Sequence, residues 1–441
     1  MRLRSHPWPQ LVRKEWRELL SSRAWWVMIF LVGPLVGVSF IGAVRTYAEA
    51  SGLGGASAGV GEAFSPLDGI WAPTFVAYEI AATFLLPFVA IRLVAGDRQS
   101  GALKLEGQGP MSPFSRMGAK ALVLFGGWCL AGFPALVAGI LWKTYGGSAY
   151  PPELASVALG HLLNAGLTIA LAIAIASIAE NPSTAAILVL SFTVGTWILG
   201  FIASLRGGMW ELIAKFTPAA MLDKFQHGLI PLGTSLVALV FIAVSLGIAS
   251  LWIRLGVSTR RRAFESAGLV AAAAALVVAC AFVHPSWDVS ENRRHSFPEA
   301  DQEALARIQG PLHIEAHLAP EDPRRSDLEH QALSKLRRAM PSVEVRYVSA
   351  TSIGLFEQTS AGYGEVWYEL GGKRAMNRLT TEEAVLETIY GLAGITPPKE
   401  TEPSFAGHPL IASPRGAAVV FFGLWPAIVA GFGVFVFRRR T

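Results

Sequence analysis

Cysteine is nearly absent. Cys129 and Cys280 are the only two in 441 residues, and both lie inside apolar runs. No disulfide framework, CxxC pair or zinc ligand set can be drawn from them. Charge is scarce as well: 16% of residues are charged, against about 25% in an average soluble domain. With 52% hydrophobic residues, that shortfall points to a membrane. A phosphate-cradling loop is also missing. The one Gly-Lys pair, Gly372-Lys373, is followed by Arg374 and falls in an expected hairpin, so ATP binding of the Walker type is not expected in this chain. No readable motif sets a Ser or Cys beside a histidine, which argues against a hydrolytic triad.

What is present is a series of apolar runs of spanning length. They cover 24–44, 74–94, 119–141, 154–178, 184–203, 232–255, 266–283 and 417–437. Eight is even, so both termini share a side. The N-terminus is basic for some twenty residues before the first run, and that run is long enough to span, so no cleavable signal peptide is expected. With both termini in the cytoplasm, the cytoplasmic segments hold 18 Lys+Arg and the short outer loops hold 5. This excess sets the orientation. Trp71, Trp142 and Trp210 then fall near the outer interface. The outer loop 204–231 has room for two short surface helices, at 209–216 and 218–227.

The net charge of +5 is the sum of two opposite parts. Residues 284–413 carry 13 Lys+Arg against 19 Asp+Glu, and the remainder carries 24 against 13. The basic residues gather at membrane boundaries, which is not a nucleic-acid footprint.

Residues 6–23 are amphipathic. Val12, Trp16, Leu19 and Leu20 share one face, and Arg13, Lys14 and Arg17 the other. That suits a helix in the headgroup plane; a solvated leader is the alternative. Residues 95–120 form a polar island between the second and third runs. Ser112-Pro113 reads as a helix start, and 112–120 reads as a brief helix too polar for lipid. Such a helix is either a lever that moves both flanking spans or a plain connecting loop.

The acidic block 284–413 has the periodicities of a folded α/β domain. Ser296-Phe-Pro-Glu299 is a capping-box pattern before Ala304, Leu305 and Ile308. Leu312, Ile314, Ala316 and Leu318 alternate with polar residues as a strand. Leu328, Ala332, Leu336 and Met340 mark a helix. Val343, Val345 and Tyr347 mark a second strand. Val366, Tyr368 and Leu370 mark a third, which Gly371-Gly372 turns back as a hairpin. Thr380-Thr-Glu-Glu383 starts a last helix, and 395–413 reads as a Pro/Gly-rich tether to the final span.

Two groupings of polar side chains invite a functional reading. Glu79 in the second run, with His161 and Asn164 in the fourth, would line a pathway if they face inward; Glu79 is also near enough to the surface to stay hydrated. His313, Glu315 and His317 share one strand face, where they would either hold copper or zinc or be solvated. Metal binding is not the expectation.

The first 258 residues resemble the permease subunit of ABC-2 type transporters. Lys14-Glu15-Trp16-Arg17-Glu18-Leu19 looks like that family's elbow helix, which assigns this role to Arg13, Trp16 and Arg17. Asp97-Arg98-Gln99-Ser100-Gly101-Ala102-Leu103 is similar to its E-R-x-x-G-T-L element. Pro110-Met111-Ser112, with Lys120 ten residues after Pro110, resembles its coupling helix. Phe216-Thr-Pro218 with Phe225-Gln-His-Gly228-Leu-Ile230 resembles its S-P…F…G-V-I loop. Asp97, Pro113 and Ala119 depart from the usual Glu, Arg and Gly. The acidic block resembles a second family, the auxiliary component of gliding-motility-type ABC systems. Residues 287–296, Trp-Asp-Val-Ser-Glu-Asn-Arg-Arg-His-Ser, look like that domain's opening phrase. It is thioredoxin-like in fold without redox cysteines, and only its first part is matched.

These resemblances imply a polytopic all-α membrane bundle in a bacterial inner membrane, with an inserted extracytoplasmic (periplasmic) α/β domain. The divisions are an elbow at 1–23, a six-span core at 24–258, a seventh span at 266–283, the α/β domain at 284–413 and an eighth span at 417–437. The implied protein is a non-catalytic permease, an exporter working as a homodimer. ATP and Mg would be bound by a separate ATPase, docked on Asp97, Arg98, Pro110, Ser112, Phe114, Arg116, Met117 and Lys120. The alternative is a subunit that relays ATPase motion to an envelope partner and moves no substrate.

Overall fold

The computed structural model describes residues 7–53, 64–109, 111–206, 209–283, 285–308, 310–319, 322–340, 342–348, 362–398, 405 and 407–438. Pro110 and the C-terminal Arg439 and Arg440 lie outside them.

Among the described residues, eight helices are long and apolar enough to cross a membrane: Arg23–Gly52, Leu67–Gln99, Pro113–Thr144, Pro151–Ile178, Pro182–Ala203, Leu232–Trp252, Thr259–Cys280 and Val419–Arg438. Each coincides with one of the eight apolar runs, so the chain is a multi-pass helical membrane protein. Six of the eight helices are longer than the runs, because polar and aromatic residues extend them past the apolar stretch. The first helix, Arg23–Leu53, has 31 residues. It would measure about 46 Å, well beyond a hydrocarbon core of about 30 Å. Prolines interrupt two spans. Helix geometry breaks at Leu85 before Pro87 and at Gly132 before Pro134. At the second break, the Tyr78 hydroxyl donates to Ala131 O (3.2 Å) and accepts from Ala135 N (3.0 Å), which stitches the second span to the third.

The chain divides into two compact units. One comprises residues 1–198, 217–287 and 406–441; the other comprises 199–216 and 288–405. In the first unit we call the end holding the N-terminal helix Pro7–Ser21 basal, and the opposite end distal. The short helix Pro218–Gln226 opens with the Thr217 hydroxyl accepting from Ala220 N (3.3 Å). It buries Met221 and Phe225.

At the distal end the expected tether is partly a strap. His408 N donates to Phe64 O (3.0 Å), and the Tyr47 hydroxyl lies 2.6 Å from His408 O. Leu410 N donates to Ser51 Oγ (2.9 Å), and the Tyr145 hydroxyl donates to Arg415 O (2.9 Å). Residues 407–416 are therefore held by the first and third spans. Their backbone polar groups find partners that the sequence pattern does not reveal.

The second unit is built on a four-stranded sheet in the spatial order Val343–Tyr347, Leu312–Ala316, Val366–Leu370, Lys373–Asn377. Leu312 sits opposite Val343 in a parallel pair and opposite Leu370 in an antiparallel one. Gly371 and Gly372 both have positive φ (57° and 79°), which a two-residue hairpin turn of this kind requires. Leu312, Ile314, Val366 and Tyr368 bury one face against Leu328, Leu333, Leu336, Val385 and Ile389. The helices Glu382–Ala393 and 328–339 supply those last five residues. One expectation fails here: the helix starts at Glu299 with Pro298 as its N-cap. Ser296 lies three residues before that helix and caps nothing, because Pro298 takes the position instead.

Candidate functional site

The basal end gathers five ionisable side chains from four elements. The N-terminal helix Pro7–Ser21 supplies Lys14 and Glu15. The last turn of Leu86–Gln99 supplies Asp97. Gly101, with φ +76°, then turns the chain into the short helix Ala102–Gly107, which supplies Glu106. A residue with a Cβ would be strained at that φ. The chain re-enters a helix at Ser112, whose hydroxyl accepts from Ser115 N (3.1 Å), and Pro113 occupies the first turn. Lys120 follows two turns later.

Lys120 is wholly buried. Its ammonium lies 2.7 Å from Glu15 Oε2 and also donates to Asp97 Oδ2. The Lys14 ammonium lies 2.5 Å from Glu106 Oε1, 3.2 Å from Asp97 Oδ2 and 3.4 Å from Glu15 Oε1. Two ammonium groups thus bridge three carboxylates. Glu18, one turn along, adds a half-exposed contact to Lys14 at 3.1 Å. Burial pulls the Lys14 ammonium down, but Glu106, Glu15 and Asp97 together outweigh it and hold its pKa above the ordinary range. Burial pushes the Glu15 carboxyl up, and Lys120 and Lys14 offset only part of that. A buried charge left without its partner costs about 3–5 kcal/mol. The members of this cluster therefore constrain one another strongly.

Two glycines seat the N-terminal helix on the third span. A Cβ at Gly126 would fall 2.8 Å from Trp16 Cζ2, and one at Gly127 would fall 2.6 Å from Leu19 Cδ2. Close approach of the two helices brings Glu15 within reach of Lys120. The guanidinium of Arg98 donates to Ala179 O at the end of the fourth span, so the same corner is fixed to a further helix.

This arrangement corrects several expectations. Residues 112–120 are not a separate brief helix. They are the first turns of the continuous helix Pro113–Ala131, because the polar residues find partners inside the protein. Lys120, Arg116 and Met117 are buried, and Arg116 donates to Met111 O (3.1 Å). The separate short helix in the loop is Ala102–Gly107. The exposed apolar side chains there are Leu105 (71% exposed) and Phe114 (53%). Arg13 and Arg17 are exposed, as a headgroup-facing side would require, whereas Lys14 turns into the cluster. The sequence reading gave Glu15 no role beyond its place in the elbow phrase and did not single out Glu106. Glu15 stands three residues after Val12 and four before Leu19. A carboxylate on that apolar face was the available signal.

The other candidates are less concentrated. Glu79 accepts a hydrogen bond from Trp197 Nε1 in the fifth span (3.0 Å). His161 is buried beside the rings of Phe75 and Tyr78, with centroids 5.0 and 6.5 Å away, and Asn164 is buried one turn on. No hydrogen bond joins Glu79 to His161 or Asn164 among the described residues. On the sheet of the second unit, His313 faces Glu344 (3.0 Å), His317 faces Glu315 (3.4 Å), and Glu315 faces Arg374 (3.3 Å). Each of the three thus has a side-chain partner within 3.4 Å. The one grouping of three ligand-type side chains with converging atoms among the described residues is Glu15, Asp97 and Glu106. There Lys14 and Lys120 already occupy the space between the carboxylates.

Compared with known proteins, the sequence matches no family model and no curated relative.

Proposed function

We propose that this chain is the transmembrane permease of an ABC-2 type exporter, driven by a separate ATPase that docks at the basal end. The observation that carries the reading is the buried cluster of Lys14, Glu15, Asp97, Glu106 and Lys120. It ties the N-terminal helix, the end of the second span, the loop helix and the start of the third span into one block. A protein pressing on the loop would tilt both spans together, and this is the physical requirement for coupling hydrolysis to a membrane path. The block lies where the resemblance puts the elbow and the coupling segment. In this reading the basal end is cytoplasmic, in agreement with the excess of basic residues there. Two copies would form the transporter, and ATP and Mg would sit in the partner. The second unit would be an extracytoplasmic, thioredoxin-like domain. Its strand–helix–strand and hairpin follow the order that the resemblance implies.

A second reading is supported by the distal strap. Tyr47 of the first span is bonded to the chain where it returns from the second unit. Motion of that span would reach residue 408 directly, as a relay to an envelope partner would need.

The docking surface is tested with Leu105→Asp and Phe114→Asp together, in a chain purified with its ATPase. Both side chains are exposed, so the fold should survive, while a carboxylate buried at a protein contact costs several kcal/mol. Loss of ATPase co-purification is expected. Undiminished co-purification and hydrolysis would remove this assignment.

A further inference from the structure

We propose that the groove along residues 258–264 binds an anionic phospholipid, with the phosphate at Arg260 and the upper acyl chain along Phe264. The inference rests on the chain being a membrane protein and not on the transporter reading.

The seventh span, Thr259–Cys280, is the least buried of the eight. Its flanks are therefore left uncovered by the rest of the chain, and its first turn lies at headgroup depth, because it precedes the apolar run that begins at residue 266. At that depth Ser258, Arg260, Arg261, Ala263 and Phe264 line an open groove of about 540 Å³. Four guanidiniums crowd the region, and among the described residues a single carboxylate answers them. Glu265 takes Arg254 (2.8 Å) and Arg261 (2.9 Å), and Arg262 donates to Arg254 O. Arg260 makes no hydrogen bond or ion pair among the described residues. Phe264, one turn further into the span, is 81% exposed.

The occupant follows from charge complementarity. The site keeps an excess of positive charge and offers a free planar guanidinium, which suits a phosphodiester. A zwitterionic headgroup would bring its own cation into an arginine cluster. A soluble phosphate would leave the exposed Phe264 without a role. An anionic glycerophospholipid satisfies both halves of the groove.

The full chain, stripped of lipid in detergent, is titrated with phosphatidylglycerol, phosphatidylcholine or glycerol 3-phosphate, and bound ligand is read by native mass spectrometry. Phosphatidylglycerol should bind at least about fivefold more tightly than phosphatidylcholine. Arg260→Gln should remove about that factor, the size of one basic side chain's attraction to an anionic surface. Arg260→Lys should keep most of it. A photoactivatable phosphatidylglycerol should crosslink within 258–264 of the unaltered chain, a readout that does not depend on any variant folding. Crosslinks confined to other segments would overturn the proposal. So would equal affinity for the two lipids, or displacement of phosphatidylglycerol by an equal concentration of glycerol 3-phosphate.

Discussion

The ammonium of Lys120 lies 2.7 Å from Glu15 Oε2, and both side chains are wholly buried. The pair joins residues 105 positions apart and holds the N-terminal helix to the third span. Lys120→Met should therefore strand Glu15 and Asp97, with only Lys14 to share. A loss of about 3–5 kcal/mol is expected from removing one member of such a pair. Adding Glu15→Gln should recover part of it, because the stranded charge disappears. Thermal unfolding in detergent reads both variants. A single variant as stable as the unaltered protein would show that the cluster does not hold the helix in place.

The strap is tested at Tyr47. Tyr47→Phe removes the hydroxyl that meets His408 O and Phe64 O and keeps the ring beside Trp142 (5.6 Å between centroids). Cleavage between residues 405 and 416 by an added protease should become faster, since about 1 kcal/mol of net hydrogen bonding is lost there. Unchanged cleavage would mean that the bonds from Ser51 and Tyr145 suffice.

The eight spans were legible because twenty apolar residues in a row leave a chain little choice. The second unit was legible because its strands alternate and its turn is Gly-Gly. The ion cluster was not. Lys14 and Lys120 read as surface charges when each helix is taken alone, and only the packing at Gly126 and Gly127 brings Glu15 to Lys120. The strap was hidden for a similar reason. Its bonds run from backbone groups to Tyr47, Ser51 and Tyr145, and no periodicity records that.

In the second unit, Asp322 accepts from the Arg324 guanidinium (2.7 Å) and the Tyr363 hydroxyl (2.8 Å). Arg324 is the main reason that the carboxyl titrates at about 2, below its ordinary 3.8. A depressed carboxylate pKa contributes stability at pH values above 3.8 and loses it as pH falls to 2. Asp322→Asn should therefore lower stability at neutral pH and flatten its dependence between about pH 4 and 2. Fluorescence-detected unfolding across that range is the measurement. Parallel pH profiles for both proteins would dismiss the contribution.

Orientation is checked near the same residue. In a chain with Cys129 and Cys280 replaced, a single cysteine at the exposed Ser326 should react with an impermeant thiol reagent in intact spheroplasts. Labelling only after lysis would invert the proposed topology.

The two readings of function part at the second unit. Its part from residue 288 onward has its own buried core, from Leu312, Ile314 and Tyr368 to Val385 and Ile389, so removing that part should leave the membrane helices assembled. Residues 288–402 are replaced by a flexible linker, which keeps the strap at 407–416 and its bonds to Tyr47. An exporter whose outer domain only receives or guides cargo should still hydrolyse ATP in the truncated complex, and substrate should still stimulate it. A relay should lose its cellular phenotype entirely, although the basal cluster and the ATPase contact are intact. We expect retained hydrolysis with retained stimulation, because everything the basal end needs for coupling lies outside the removed segment. Hydrolysis without stimulation, together with a specific envelope partner captured by the full-length chain and lost on truncation, would favour the relay instead.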